Sequence, residues 1–380
     1  MKNNRTFLEK LLDGAEVKWI PLGNVADYEQ PTKYLVNSTV YNDNYPIPVL
    51  TAGKTFILGY TNEDEGIYFA SKSPVIIFDD FTTANKWVDF DFKAKSSAMK
   101  MITSKNEKFA LLKYIYYWLN TLPNNQIDGD HKRQWISNYA NKLIPIPPLS
   151  VQTEIVRILD VLTALTSELT SELTLRQKQY EYYREKLLNI DEMNKVIELG
   201  DVGPVRMCKR ILKNQTASSG DIPFYKIGTF GKKPDAYISN ELFQEYKQKY
   251  SYPKKGDILI SASGTIGRTV IFDGENSYFQ DSNIVWIDND ETLVLNKYLY
   301  HFYKIAKWGI AEGGTIQRLY NDNLKKVKIS IPPLKEQQRI VSILDKFETL
   351  TNSITEGLPL AIEQSQKRYE YYRELLLNFS

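Results

Sequence analysis

The chain has 380 residues, with 48 Lys and Arg against 46 Asp and Glu for a net charge of +2, one cysteine and two histidines. That length holds two or more domains with cores of their own, the lone Cys208 excludes a disulfide framework, and so little Cys and His argues against a transition-metal centre. No run approaches 18 apolar residues and the Met1 to Lys10 start is too charged for a signal peptide, so a cytoplasmic protein with no membrane span is expected. A net charge this low means that any basic surface is local and offset elsewhere.

Residues 1–148 begin with the short run Glu9-Lys10-Leu11-Leu12. They then mix strand-like stretches, Ile47 to Thr51, Val75 to Phe78 and Trp87 to Phe90, with turn signals at Gly53, Gly59 and Gly66. A helix is expected from Asn106 to Leu119, where Phe109, Leu112, Ile115 and Tyr116 share a face. Pro147-Pro148 block any backward extension of a following helix. Beyond them Ile155, Ile158, Leu162, Leu165 and Leu169 recur at steps of 3, 4, 3 and 4, a heptad seam that predicts a long helix within 149–191. Inside it Thr166-Ser-Glu-Leu169 is followed at once by an identical Thr170-Ser-Glu-Leu173, and the segment closes on Tyr180-Glu-Tyr-Tyr-Arg-Glu185.

Residues 192–333 return to the first style, with strands expected at Asp257 to Ser261, Thr269 to Phe272 and Ile284 to Ile287 and a helix near Lys297 to Lys307. Residues 334–380 repeat the heptad as Ile340, Ile343, Phe347, Leu350 and Ile354, break at Gly357-Leu-Pro359, and end on Tyr369-Glu-Tyr-Tyr-Arg-Glu374.

The chain is therefore written twice. Ile144 to Leu149 recurs as Ile329 to Leu334 at an offset of 185, which also carries Gly129 onto Gly314, Arg133 onto Arg318, Asn138 onto Asn323 and Asp160 onto Asp345. Ile47-Pro48 and Gly53 match Ile222-Pro223 and Gly228 at 175, Leu22-Gly23 matches Leu199-Gly200 at 177, and the tyrosine tails match at 189. Drifting offsets mean a common frame with different loops. A unit near 190 residues is too long for a solenoid repeat and suits a two-fold pseudo-symmetric molecule. The expected fold is α+β: two pseudo-symmetric globules separated by two long antiparallel coiled-coil helices, with the N-terminus beside the C-terminal helix. The Ile and Leu stripes read as core, whereas tyrosine with arginine is the composition of protein interfaces.

Enzymatic motifs fail on spacing. Gly53-Lys54-Thr55 would need a glycine at position 48 to be a Walker A loop, and that residue is Pro48. Gly264-Thr-Ile-Gly267 lacks dinucleotide-binding spacing, His131 and His301 read as ordinary polar residues, and Asp79-Asp80 reads as a turn. No catalytic, metal or cofactor site is expected, which leaves a binding or scaffolding chain.

Two variable α+β blocks, each followed by Ile-Pro-Pro-Leu and a heptad helix ending in Tyr-Glu-Tyr-Tyr-Arg-Glu, resemble the specificity (S) subunit of type I restriction-modification systems. The resemblance covers essentially the whole chain. It implies a non-catalytic subunit in which residues 1–148 and 192–333 are target recognition domains, each reading half of a split sequence in double-stranded DNA. It also implies that the coiled-coil helices at 149–191 and 334–380 separate them and bind two methyltransferase subunits, and through these the restriction and translocase subunits. Adenine methylation with S-adenosylmethionine and ATP-driven cleavage would then reside elsewhere, and some relatives carry a tandem tetrapeptide whose copy number sets the gap between half-sites.

Donors suited to DNA are Lys54, Thr55, Thr82, Thr83, Lys86, Lys132 and Arg133 in the first block and Ser261, Ser263, Gly264, Thr265, Arg268, Gln317 and Arg318 in the second. Arg133 and Arg318 share a frame position, so they grip phosphate or support a loop, since the two half-sites should differ. The partner-binding candidates are Tyr180, Tyr182, Tyr183 and Arg184 with Tyr369, Tyr371, Tyr372 and Arg373. The competing reading is a coiled-coil scaffold or decoy subunit that binds no DNA.

Overall fold

A computed structural model describes residues 6–53, 55–123, 133–189, 194–309 and 318–379. It divides into two compact units, residues 1–170 with 361–380, and residues 171–360. Both contain the same three sheets. In the first unit a four-stranded antiparallel sheet runs in the order Ala26–Glu29, Met99–Ser104, Val75–Asp79, Asn85–Val88; in the second the order is Val205–Arg206, Ile284–Ile287, Ile258–Ser261, Thr269–Ile271. A three-stranded sheet joins Ile47–Leu50 to Ile57–Thr61 and, in parallel, to Lys93–Ala94. Its counterpart joins Ile222–Tyr225 to Tyr237–Ile238 and, in parallel, to Tyr278–Phe279. The Ile-Pro segments themselves form strands, Leu143–Ile146 against Lys18–Pro21 and Lys328–Ile331 against Lys195–Glu198. Only the second unit adds the helix Asn240–Lys249 among the described residues.

The expected strand Trp87 to Phe90 lies at Asn85–Val88 instead. Asp89 accepts the Trp87 indole N–H at 3.1 Å and turns the chain away. The helix expected from Asn106 begins at Leu112, because Asn106 first folds a turn by accepting from Lys108 N at 3.0 Å and the Glu107 carboxylate then takes Leu112 N at 3.2 Å. Its counterpart is Asn296–Tyr303, with Glu291 accepting from Asn296 N at 2.8 Å, and it stops short of the expected Lys307.

Each globule is fastened to its helix by one repeated joint. Gln152 accepts from Leu111 N and donates to the carbonyls of Phe109 and Pro147, all at 2.9 Å. Gln337 does the same with Leu295 N and the carbonyls of Leu293 and Pro332 at 2.8–3.0 Å. A fully buried Gln is tolerable only because both ends of its amide are satisfied. Asp160 is held by Lys113 at 3.3 Å and by the Tyr117 hydroxyl; Asp345 is held by Lys297 at 3.0 Å and by His301 Nε2 at 2.8 Å. The position is shared, but a phenol fills it in one unit and an imidazole in the other.

The long helix spans Leu149–Leu188 without interruption and therefore passes through the tandem tetrapeptide, where Thr166 and Thr170 each return their hydroxyl to the carbonyl four residues back. In the first unit it pairs with the C-terminal helix, Leu358–Leu377: Thr166 Oγ1 meets Ser365 Oγ at 2.8 Å, and Ile155 and Leu159 share a core with Leu376 and Leu377, an antiparallel sense. Leu11 and Leu12 of the short helix Phe7–Leu12 join that core, so the N-terminal echo of the repeat lies beside the C-terminal helix as expected.

The buried stripe differs from the expected seam. It runs through Ile155, Leu159, Leu162 and Thr166, and through Ile340, Leu344, Phe347 and Thr351, leaving Leu165 37% and Ile354 79% exposed. Leu159 and Leu344 turn toward their own globules, and Thr351 can be buried because its hydroxyl satisfies the Phe347 carbonyl at 2.8 Å. The second helix, Leu334–Asn352, breaks before Leu358. Gly357 makes this possible: its φ is +85°, and a Cβ there would lie 2.6 Å from the Thr349 carbonyl oxygen.

Candidate nucleic-acid interface and docking helices

The DNA candidates gather at one hairpin in each unit. Between Val75–Asp79 and Asn85–Val88, Asp79 N donates to Ala84 O at 2.8 Å and Thr83 N to Asp79 O at 2.9 Å. Between Ile258–Ser261 and Thr269–Ile271, Ser261 N donates to Arg268 O and Gly267 N to Ser261 O, both at 2.9 Å. Both tips turn on positive-φ residues, Thr83 at +62° in the first and Gly264 at +66° with Gly267 at +82° in the second. The strand-end side chain shapes the loop in both. Asp79 Oδ1 accepts from Phe81 N at 2.9 Å and Thr82 N at 3.1 Å, while Ser261 Oγ accepts from Arg268 N at 2.9 Å and donates to the Thr265 carbonyl. This agrees with reading Asp79-Asp80 as a turn.

The frame then brings the paired arginines to these tips. Gln134 N donates to Asp80 O, and Leu319 N to Ala262 O, both at 2.8 Å, so Arg133 and Arg318 each stand one residue before a backbone tie to the hairpin. Arg318 donates to Ser282 O at 3.0 Å, which is the loop-supporting role; Arg133 is exposed. Arg268 likewise donates to Phe230 O at 3.1 Å, and Ser263 Oγ to Asn283 Oδ1 at 2.9 Å. Beneath the first tip the Lys100 ammonium is buried 3.7 Å from Asp80 and 4.6 Å from the centre of the Tyr28 ring. Burial holds its pKa below the usual lysine range.

Two further loops border the second tip. Gln280 N donates to Tyr225 O, and Gln280 Oε1 accepts from Ile227 N, both at 2.9 Å. In the first unit Lys95 N donates to Leu50 O at 2.9 Å in the same way. The loop after Ile47–Leu50 that carries Thr55 is thus the counterpart of Lys226 to Phe230, and Lys95 to Ala98 that of Gln280 to Asn283. Thr55 of the first of these loops was among the sequence candidates; the loops Lys226 to Phe230, Lys95 to Ala98 and Gln280 to Asn283 were missed, although the offsets of 175 and 185 on either side of them contain the correspondence.

Of the candidates, Thr55, Thr82, Lys86, Arg133, Gly264 and Thr265 are exposed. Thr83, Ser261 and Ser263 are buried, so in this structure their side chains build the tips and do not present groups to a base edge. Lys54, Lys132 and Gln317, with His131, lie outside the described residues.

The tyrosine tails divide in the same manner. Tyr180 is buried and stacks on Phe347 at 6.2 Å, and Tyr369 is half-buried 6.4 Å from Tyr117. Tyr180 packs helix on helix and Tyr369 packs on its globule, so they are poor candidates for contact with a partner. Arg184 and Arg373 lie across these inward rings at 5.0 and 5.7 Å. Tyr182 and Tyr183 form an exposed edge-to-face pair 5.3 Å apart, although Tyr183 also stacks on Phe347 at 5.8 Å, and Tyr371 and Tyr372 repeat that pair at the same distance.

His301, Asp345 and Glu348 bring three ligand atoms within 4.8 Å of one another, as a metal centre would. Lys297 at 3.0 Å and Lys304 at 2.5 Å already hold the two carboxylates, so the cluster is an ion-pair network. No described helix is long and apolar enough to cross a membrane.

The family described as Type I restriction modification DNA specificity domain matches residues 15–176 and again 191–364. The chain is 70% identical, over the full length of both sequences, to a type I restriction enzyme specificity subunit of Haemophilus influenzae. It is 50% identical to the specificity subunit of an Escherichia coli type I restriction enzyme, covering 98% of this chain and 97% of that one. The crystal structure of a type I restriction-modification S subunit from M. genitalium shares the fold with a TM-score of 0.60 at 14% identity, over 97% of this chain and 98% of that one.

Proposed function

The chain belongs to the family of type I restriction-modification specificity subunits, and from that premise we propose that each unit reads one half of a bipartite target in double-stranded DNA through its hairpin tip and bordering loops. The observation that supports this most is the repetition of the frame without repetition of what it exposes. The backbone ties, a positive-φ residue at the close of the turn and the neighbouring arginine recur in both units, while the exposed tip residues are Phe81 and Thr82 in one and Gly264 and Thr265 in the other. A common mount carrying different side chains suits a reader of two different half-sites.

In this reading the chain is non-catalytic. The outward pairs Tyr182 with Tyr183 and Tyr371 with Tyr372 dock two methyltransferase subunits at equivalent surfaces, and restriction subunits join through these. The long helix Leu149–Leu188 sets the spacing of the half-sites. The test is exchange of residues 192–328 for the corresponding block of another family member, with methylome sequencing of a host that expresses the chain with its methyltransferase. One half of the methylated motif should change and the other persist. Change in both halves, or in neither, would reject the modular reading, and a chain that directs no methylation and binds no duplex would support the decoy alternative.

A further inference from the structure

We infer that Phe81 reads the 5-methyl group of a thymine in the half-site of the first unit. The inference rests on the proposal that the hairpin tips face DNA, and assigns one position within it.

The tip that carries Phe81 is fixed from both sides. Asp79 Oδ1 accepts from Phe81 N and Thr82 N, Asp80 O accepts from Gln134 N, and Asp80 Oδ1 accepts from Trp135 N at 2.8 Å. Thr83, buried and at φ +62°, closes the turn. With its neighbours tied down, Phe81 has its backbone position set and is 43% exposed, and among the described residues no ring or cation packs on it. Nothing in the repeated frame requires an aromatic here, since the second tip has Gly264 and Thr265 in its exposed part. A single exposed apolar residue is ordinary on a protein surface. One held on a rigid tip, beside the exposed Thr82, Lys86 and Arg133, is a ring presented to a ligand that also offers hydrogen-bond acceptors and negative charge.

In duplex DNA that description fits the major groove at a T·A pair. The thymine methyl is the apolar group on the base edges there, and phosphates flank it within reach of Lys and Arg. A wedge between base steps would use the same ring differently, gaining from unstacking and bending with no need for the methyl.

The experiment uses the chain in complex with its methyltransferase. Duplexes carrying the methylated motif are prepared with uracil in place of each thymine in turn, and their affinity for the unaltered complex is measured. One uracil in the half-site of the first unit should weaken binding roughly four-fold, the worth of one buried methyl group, and Phe81→Ala should abolish that difference while weakening the normal site on the order of ten-fold. Methylome sequencing of Phe81→Ala should show relaxation at that T·A pair alone. Equal affinity across the whole uracil series would overturn the assignment, as would relaxation at a G·C pair, a first half-site with no T·A pair, or a Phe81→Ala motif as specific as before. The uracil series does not depend on the variant folding. If the unaltered complex binds no motif-bearing duplex, it is the DNA-reading proposal itself that fails.

Discussion

At the scale of single residues, Tyr117 and His301 occupy one position of the repeated joint and differ in what a proton does to them. His301 is fully buried against Asp345, with Lys304, Glu348 and Tyr300 around it, and burial holds its pKa below the ordinary 6.5 despite the carboxylates. The folded second unit therefore binds fewer protons here than the unfolded chain. Stability from this site is complete above about pH 6.5 and is lost as pH falls through the folded value. Burial raises the Tyr117 pKa, so its phenol stays neutral throughout that window and contributes no such loss. Hydrogen exchange read by mass spectrometry between pH 7.5 and 5 should show residues 293–303 of the second unit losing protection before residues 109–119 of the first, and His301→Tyr should narrow the gap. Equal loss in both units would show that the imidazole is not responsible. Gly267 is a sharper case, since a Cβ at φ +82° would lie 2.2 Å from the Trp308 indole nitrogen. Gly267→Ala should destabilise the second unit by about 1–3 kcal/mol through backbone strain alone, with the clash added, measurable as a shift in the denaturation midpoint. Gly228→Ala, which meets nothing within 4 Å, serves as the control.

At the scale of elements, the two roles proposed for the long helix can be tested separately. The tandem Thr-Ser-Glu-Leu units lie in unbroken helix, so each further unit adds about 6 Å and rotates the downstream part of the helix by roughly 40°. DNA rises about 3.4 Å and turns roughly 35° per base pair, so one inserted unit should lengthen the spacer of the methylated motif by about one or two base pairs, the rotation favouring one. Both half-sites should stay unchanged. Four residues nearly preserve the inward stripe through Leu162, Thr166 and Leu169, whereas inserting two would turn it to roughly the opposite face. Methylomes of variants with one, two and three units make the measurement, and a constant spacer across them would mean that Thr166 to Leu173 is ordinary helix. The docking role is the one proposed for the outward tyrosine pairs. Tyr182→Ala with Tyr183→Ala should lower the number of bound methyltransferase subunits from two to one by native mass spectrometry, through loss of the edge-to-face pair. Tyr183 also stacks on Phe347 at 5.8 Å, so Tyr182→Ala alone gives the weaker but cleaner result. Two partners still bound to the double variant would place docking elsewhere.

At the scale of the whole molecule, the duplication was legible in the chain because it rests on identities at fixed offsets, and these hold whatever the side chains do in space. Pro147 and Pro332, the paired arginines, the heptad leucines and the break at Gly357 report backbone constraint and periodicity, which are local and survive as sequence. Length, charge and the failure of every catalytic spacing are likewise read from the chain alone, and they point to a binding chain. The direction in which each helix turns its stripe could not be read in this way. Ile158 and Leu159 are equally apolar, and only packing against a globule turned Leu159 inward and left Leu165 exposed. The division of labour within the DNA and docking candidates was hidden for the same reason. Thr83, Ser261 and Tyr180 have the composition of contact residues, yet hydrogen-bond satisfaction and burial used them to build the surface. Phe81 has the composition of a core residue and was left on the outside. Chemical type and period are properties of the chain; which side of a residue faces solvent depends on neighbours dozens of residues away, and that was decided by the tertiary structure.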